Sequence, residues 1–127
     1  MQAMGELFTD DAEWISVVGM HWRGKLDIVK AHEVYHRLLF PKTDIKFNNI
    51  AVRSIAPNVA VAVIDEDFDA SRLPEGGTRP ASKDILSFVL VKRNGKRKVV
   101  HGHNTIVLPE AQPYDPISNG WNGGPPK

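Results

Sequence analysis

The dipeptide Asn94-Gly95 constrains the fold of this 127-residue chain more than any other feature of its sequence. It separates two stretches rich in β-branched residues, 85–93 and 96–108. A two-residue type I′ turn needs positive φ at both central positions, which Asn and Gly tolerate. The dipeptide therefore predicts a long antiparallel hairpin in the second half of the chain.

Four further strands and one helix are predicted upstream of that hairpin. The helix covers residues 26–40, because apolar side chains recur there along one face and Pro41 ends it. Its apolar stripe consists of Ile28, Ala31, Tyr35, Leu38 and Leu39. The additional strands are predicted at residues 13–18, 20–23, 45–55 and 59–68. The last two are predicted to form a hairpin around a turn at Pro57-Asn58.

The order of these elements predicts an α+β fold in which a curved antiparallel sheet wraps around the helix. Such a sheet has a concave face that can hold a pocket. Residues 71–83 are predicted to form a long exposed loop. The folded domain is predicted to span residues 1–109. Residues 110–127 are dominated by Pro, Gly and polar side chains, which predicts an extended or disordered tail.

The composition excludes several kinds of site. The chain has no cysteine, which excludes disulfide scaffolds, thiolate zinc sites and iron–sulfur clusters. Its net charge of +1 provides no general attraction to nucleic acid or anionic membranes. Runs without charge, such as residues 55–64, are shorter than the roughly 20 residues of a bilayer span, and residues 1–8 do not resemble a secretory signal. We therefore expect a cytoplasmic protein with no nucleic-acid or membrane partner.

The sharpest literal motif is His32-Glu33-Val34-Tyr35-His36, which matches H-E-x-x-H on the predicted helix. Two histidines four residues apart share a helix face, so they can chelate zinc while Glu33 activates a water. A zinc hydrolase needs a third ligand, and residues 37–42 contain neither the glycine nor the histidine of the extended motif. The prediction is accordingly no metal, with a zinc hydrolase as the third alternative.

A second constellation combines His101 and His103 with two aspartates. The two histidines point to the same face of a predicted strand, and Asp65 and Asp67 share a face of the preceding hairpin. If either aspartate faces the concave side, it can polarise a histidine for acid–base chemistry. The alternative is that the acidic residues mark a strand end entering solvent and that the histidines satisfy hydrogen bonds.

Two basic features have structural interpretations beside functional ones. Arg23, next to Trp22, can clamp a carboxylate or anchor its strand to the helix, and anchoring is favoured. Residues 92–98 place five positive charges at the hairpin tip without the aromatic side chains that stack on bases. They are interpreted as a solvated turn. No phosphate loop or dinucleotide fingerprint is present, so no cofactor is predicted.

Several segments together resemble the SnoaL-like proteins, particularly their SgcJ/EcaC-type subgroup, within the nuclear-transport-factor-two-like (NTF2-like) superfamily. The resemblance runs from about Leu7 to Pro109 and is carried by Leu7-Phe8-Thr9-Asp10-Asp11-Ala12, Gly19-x-x-Trp22-Arg23-Gly24, Ile28, His32 and His103-Asn104-Thr105. The stretch from Asn94-Gly95-Lys96 to His103 is also similar to the association domain of calcium/calmodulin-dependent kinases, which assembles subunits.

The resemblance implies a cone-shaped α+β barrel, a homodimer, and a pocket between sheet and helices. Members include metal-free isomerases, cyclases and dehydratases as well as binding and assembly modules. Two departures stand out: six residues precede Leu7, so the N-terminal helix is expected to be shortened or missing, and Arg97 or Lys98 replaces a tryptophan of the relatives. The tail around Tyr114 to Trp121 is a candidate to close the pocket from a partner subunit.

The predicted function is that of a pocket protein for a small, mainly apolar organic molecule, with acid–base catalysis of the isomerase, cyclase or dehydratase kind. The predicted catalytic residues are His103, as base or hydrogen-bond partner, with Asp67 or Asp65 as orienter or base. The predicted ligand-binding residues are Trp22, Arg23, His32, Tyr35 and His101. The leading alternative is a non-catalytic binding or oligomerisation module on the same fold.

Overall fold

The computed structural model describes residues 2–38, 45–73 and 75–125. The described elements are α1 Gln2–Gly5, β1 Phe8–Ile15, β2 His21–Arg23, α2 Lys25–Leu38, β3 Ile45–Ala56, β4 Val59–Phe68, β5 Ser71–Arg72, β6 Thr78–Arg79, β7 Ser82–Arg93, β8 Lys96–Ile106 and a 3₁₀ helix at Pro109–Tyr114. None of the helices within these ranges is long and apolar enough to cross a bilayer.

Six of the strands form one curved mixed sheet in the order β2-β1-β8-β7-β4-β3, and β5 and β6 form a separate ribbon. All neighbours in the large sheet are antiparallel except β1 and β8, which run parallel. The α+β fold class predicted from the sequence is confirmed. The parallel pair was not predicted, because a hydrophobic pattern within one strand carries no information about its neighbour.

Both predicted hairpins are confirmed, and the turn chemistry accounts for the sharper one. Asn94 has φ 54° and Gly95 has φ 76°, the positive values that a type I′ turn requires. Pairing begins immediately beside the turn, where Arg93 lies opposite Lys96. The other hairpin joins β3 to β4, with Ala56 opposite Val59.

Three local predictions need correction. Strand β1 begins at Phe8 and ends at Ile15, five residues earlier at its start than predicted, because pairing with β8 extends to Val99. The predicted loop 71–83 contains the β5–β6 ribbon and the first residues of β7. The C-terminal segment forms a 3₁₀ helix and a turn in which Asp115 accepts a hydrogen bond from the Ile117 N–H at 2.8 Å. The domain boundary at residue 109 stays a prediction.

Helix α2 provides one wall of the core. Its start follows Gly24, whose N–H donates to the Ala12 carbonyl at 2.6 Å and whose φ of 91° favours glycine. Of the predicted stripe, Ile28 is fully buried and Leu38 is 51% exposed. The helix is described as far as Leu38, and the predicted stop at Pro41 lies outside the described residues.

We call the side of the sheet that packs against α2 the inner face. Its buried apolar residues are Phe8, Ala12, Trp14, Leu86 and Val99, which cluster with Ile28 of α2. Gly102 makes room for this packing, because a β-carbon there would overlap the Trp14 indole and lie 3.2 Å from Phe88 Cδ1. The Trp14 Nε1–H also donates to Asn104 Oδ1 at 3.1 Å, which joins β1 to β8 by a side-chain hydrogen bond.

Candidate functional site

The two histidines of the predicted catalytic group lie on the opposite side of the sheet, which we call the outer face. His103 lies opposite Ile15 on β1 and Ser87 on β7, whereas Gly102 and Asn104 beside it turn inward. His101 occupies the same outer face and lies opposite Glu13. The late histidines therefore point away from the helix-covered core.

The two predicted aspartates share that outer face. Asp65 and Asp67 lie opposite Ile85 and Lys83 of β7, and their carboxylates accept hydrogen bonds from the amides of Asn49 and Asn48. Strand β7 separates them from His103, so two strand spacings, about 10 Å, lie between β4 and β8. The aspartates do not face the side that packs against α2. The structure does not bring this group into contact, and its catalytic role stays a prediction.

Three of the predicted ligand-binding residues do meet, around helix α2. The His32 ring packs edge-on against Trp14 and Trp22, with ring centroids 4.8 and 5.4 Å away, and Tyr35 lies 6.1 Å from Trp22. His32 Nδ1 donates to the Ile28 carbonyl at 2.8 Å, and burial lowers the pKa of His32. The ring is therefore a neutral member of an aromatic cluster.

The remaining predicted residues lie apart from that cluster. Arg23 is exposed on β2, opposite Glu13. Glu33 and His36, the other members of the H-E-x-x-H motif, are exposed on α2. Among the described residues, no group of three or more His, Asp or Glu side chains is arranged to hold a metal ion.

A pair of buried carboxyls on the inner face was not predicted from the sequence. Glu66 of β4 lies directly opposite Asp84 of β7, and only 5% and 2% of these residues are exposed. A signal was present in the sequence, because Glu66 is the one acidic residue in the alternation Ala60, Ala62, Ile64, Glu66, Phe68. A carboxyl flanked by apolar residues on one strand face is costly to bury and therefore informative.

The two carboxyls differ in their hydrogen bonds. Arg79 Nη2 donates to Ser82 Oγ at 2.9 Å, and Ser82 Oγ donates to Asp84 Oδ1 at 2.9 Å. The guanidinium of Arg79 also lies over the Phe68 ring, 5.2 Å from its centroid. Glu66 Oε1, in contrast, is buried and has no hydrogen-bond partner among the described residues.

Burial sets the protonation of the pair. It raises the pKa of Glu66 from 4.5 to about 7, with a further contribution from the neighbouring Asp84 and an opposing one from Arg79. Burial also raises the pKa of Asp84, against the lowering effects of the Ser82 hydrogen bond and Arg79. A carboxyl whose pKa lies near neutrality can donate or accept a proton at physiological pH.

A cavity of about 480 Å³ lies within the loop that links β5 to β6. Its lining consists of Arg72, Leu73, Gly76, Gly77 and Thr78. Neither carboxyl and none of the predicted site residues contributes to this lining. Arg79 follows it directly in the sequence, so the same ribbon that forms the cavity also carries the guanidinium of the carboxyl pair.

None of the protein-family models matches this chain, and no curated protein sequence matches it. Solved structures do. An uncharacterized protein with a cystatin-like fold from Caulobacter vibrioides is 40% identical, covers 91% of this chain and 82% of its own, and superimposes with a TM-score of 0.85.

More distant structures share the fold. An NTF2-like protein of unknown function in nutrient uptake from Rhodospirillum rubrum is 18% identical over 84% of both chains, with a TM-score of 0.66. A hexachlorocyclohexane dehydrochlorinase, LinA type 2, is 14% identical over 82% of this chain and 70% of its own, with a TM-score of 0.71. The chain belongs to the family of the Caulobacter protein, which has a cystatin-like fold, and it shares that fold with NTF2-like proteins.

Proposed function

We propose that the inner face around Glu66 and Asp84 binds a small, mainly apolar organic molecule and exchanges a proton with it. The observation that carries this proposal is the pair of facing carboxyls, both more than nine-tenths buried, with Glu66 Oε1 left without a partner. Buried polar atoms normally find hydrogen-bond partners, so an unpartnered one beside an apolar wall suits a ligand.

The surroundings support a largely apolar ligand. Ile64 and Leu86 flank the carboxyls on the inner face, and Phe47 of β3 lies opposite Glu66 with 55% of its surface exposed. The dehydrochlorinase on this fold is named for an apolar chlorinated ring, which is compatible with such a ligand. We also propose that the chain belongs to the NTF2-like superfamily, among SnoaL-like proteins of the SgcJ/EcaC type. A cytoplasmic location stays a prediction from the sequence.

Native mass spectrometry of the protein purified without chelator tests the binding half of the proposal. We expect a metal-free species with a small organic adduct in the wild type. Glu66→Gln and Asp84→Asn should reduce the adduct at least fivefold, whereas Asp69→Asn, an exposed position beyond β4, should not. An adduct that persists in both site variants, or no adduct at all, contradicts the proposal. Stoichiometric zinc that is lost in His36→Ala would instead support the hydrolase alternative.

Deuterium exchange tests the catalytic half. Cyclohexanone and 2-cyclohexenone are incubated in D₂O with protein, and deuteration beside the carbonyl is followed by NMR. We expect the wild type and Asp69→Asn to exceed the buffer rate and Glu66→Gln to return to it. A protein that retains an adduct but exchanges neither probe faster than Glu66→Gln is a binding module rather than a catalyst.

A second proposal concerns assembly as a homodimer. The part of the outer face formed by β4 and β7 carries exposed apolar side chains. Val61 and Val63 of β4 and Ile85 and Val89 of β7 share that face, and Val63 and Ile85 are 41% and 36% exposed. Contiguous exposed apolar residues are typical of protein–protein interfaces.

Light scattering after size-exclusion chromatography tests this assembly. We expect a dimer mass for the wild type and for Lys96→Ala at the hairpin tip, and a monomer mass for Val63→Lys. A monomeric wild type, or a Val63→Lys variant that stays dimeric, contradicts the proposed interface.

A further inference from the structure

The carboxyl pair on the inner face lies where simultaneous ionisation of both groups is unfavourable. Glu66 and Asp84 are directly opposite cross-strand neighbours, and both are almost fully buried. Two carboxylates this close in a poorly solvated site resist simultaneous ionisation, so one of them keeps a proton while the other is charged. Which carboxyl keeps the proton depends on the groups around each of them.

Few other charged groups face the pair in the described part of the chain. Strand β3 places Phe47 opposite Glu66, and β8 places Ile106 opposite Asp84. Arg79 of β6 is the cation whose field reaches both carboxyls. Lys46 and Lys83 belong to the outer face, where they lie opposite Asp67. The difference between the two carboxyls therefore comes from Arg79 and from local hydrogen bonds.

Ser82 supplies the hydrogen bond that distinguishes them. A guanidinium only donates, so the 2.9 Å bond from Arg79 Nη2 occupies a lone pair of Ser82 Oγ. The serine proton is then directed at Asp84 Oδ1, also 2.9 Å away. A hydrogen bond donated to a carboxylate favours its ionised form. Glu66 Oε1 receives no such bond among the described residues.

We propose that Ser82, oriented by Arg79, is a positioning residue that keeps the charge on Asp84 and leaves the transferable proton on Glu66. This assignment rests on the proposed function for its purpose, since it makes Glu66 the acid and Asp84 the base toward a bound molecule. Ser82 itself touches Asp84 rather than the ligand, so its effect is exerted through the neighbouring carboxyl.

Site-specific titration of the ligand-free protein tests the assignment. The carboxyl carbons of Asp and Glu are labelled with ¹³C and followed by NMR from pH 3 to 9. In the wild type we expect Asp84 to titrate at lower pH than Glu66. In Ser82→Ala the Asp84 titration should move up by about one pH unit, and the two curves should converge. Ser82→Thr keeps the hydroxyl and should restore the wild-type order.

A merely structural role for Ser82 gives a different result. If Ser82 only supports the ribbon, Ser82→Ala changes the stability and leaves both titration curves in place, and this outcome overturns the assignment. A wild type in which Glu66 titrates first overturns it as well. Because no ligand is present, these results are independent of the adduct and exchange experiments, so failure of one proposal is distinguishable from failure of the other.

Discussion

Two parts of the same sheet treat burial in opposite ways. Under helix α2, Trp14 of β1 is 5% exposed and the helix residue Ile28 is fully buried. At the β3 edge of the same inner face, Phe47 and Ile50 are 55% and 64% exposed, while the neighbouring Glu66 is 5% exposed. The first part follows the usual rule that apolar groups are buried, and the second part reverses it.

This difference separates the part of the sheet that stabilises the fold from the part that carries the proposed site. Burial of apolar surface under α2 stabilises the fold, whereas burial of two carboxyls costs free energy that packing elsewhere must offset. Proteins commonly accept such local costs at sites of binding or catalysis. Strand β7 takes part in both, because it contributes Leu86 and Phe88 to the packing and Asp84 to the carboxyl pair.

The largest expected effect contrasts one isoleucine from each part. Ile28→Ala should lower the free energy of unfolding by about 4 kcal/mol, because it leaves a cavity at a fully buried position. Ile50→Ala removes the same atoms from a side chain that is 64% exposed and should cost less than about 1 kcal/mol. Urea denaturation of both variants checks the contrast, and equal losses would break it.

The next effect is a pH dependence of the free energy of unfolding, which comes from the Glu66–Asp84 pair. The folded protein binds the Glu66 proton more tightly than the unfolded chain, because the pKa is raised from 4.5 to about 7. This contribution to stability is complete below pH 4.5 and is lost as the pH rises to about 7, at a cost of about 3 kcal/mol. The quantity to measure is the difference in unfolding free energy between wild type and Glu66→Gln from pH 4 to 8.

The difference between the two unfolding free energies is needed because the shifted pKa of His32 changes stability with pH in the opposite direction. Its lowered pKa contributes stability above about pH 6.5 that is lost as the pH falls toward the folded-state value. Since His32 is present in both proteins, its contribution cancels. Glu110→Gln, at an exposed position after β8, should follow the wild-type curve. A difference that is constant with pH would show that Glu66 ionises as readily in the folded protein as in the unfolded chain.

The smallest of the three effects concerns the close packing under the helix. A β-carbon at Gly102 would approach Trp14 Cζ3 to 2.6 Å, so Gly102→Ala forces the indole or the strand to shift. We expect a loss of about 2 kcal/mol in thermal or urea unfolding. Thr105→Ala, on the outer face of the same strand, serves as the control and should change stability by about 0.5 kcal/mol or less. A Gly102→Ala protein as stable as this control would mean that the packing around Trp14 is loose enough to accept an added methyl group.

Local chemistry made the hairpins predictable. The Asn94-Gly95 turn and the interruption at Pro57-Asn58 act within a few residues, so each hairpin was evident without knowledge of its surroundings. Helix α2 was predicted to within one residue at its start for the same reason, because the period of its apolar residues is a local property.

The site was harder to predict because both faces of β4 are apolar. Val59, Val61 and Val63 occupy one face and Ala60, Ala62 and Ile64 the other, so the pattern does not say which face meets the helix. That choice decides whether Glu66 or the pair Asp65 and Asp67 turns inward. It is made by the parallel pairing of β1 with β8, a contact between distant parts of the chain.

The same pairing has a consequence for the order of folding. Trp14 and its hydrogen-bond partner Asn104 are 90 residues apart, so the helix-covered core closes only after almost the whole sheet has been synthesised. The β3–β4 hairpin, in contrast, needs only neighbouring residues and can pair early. During synthesis on the ribosome, the carboxyl-bearing strand β4 therefore emerges before β8, whose pairing with β1 completes the core.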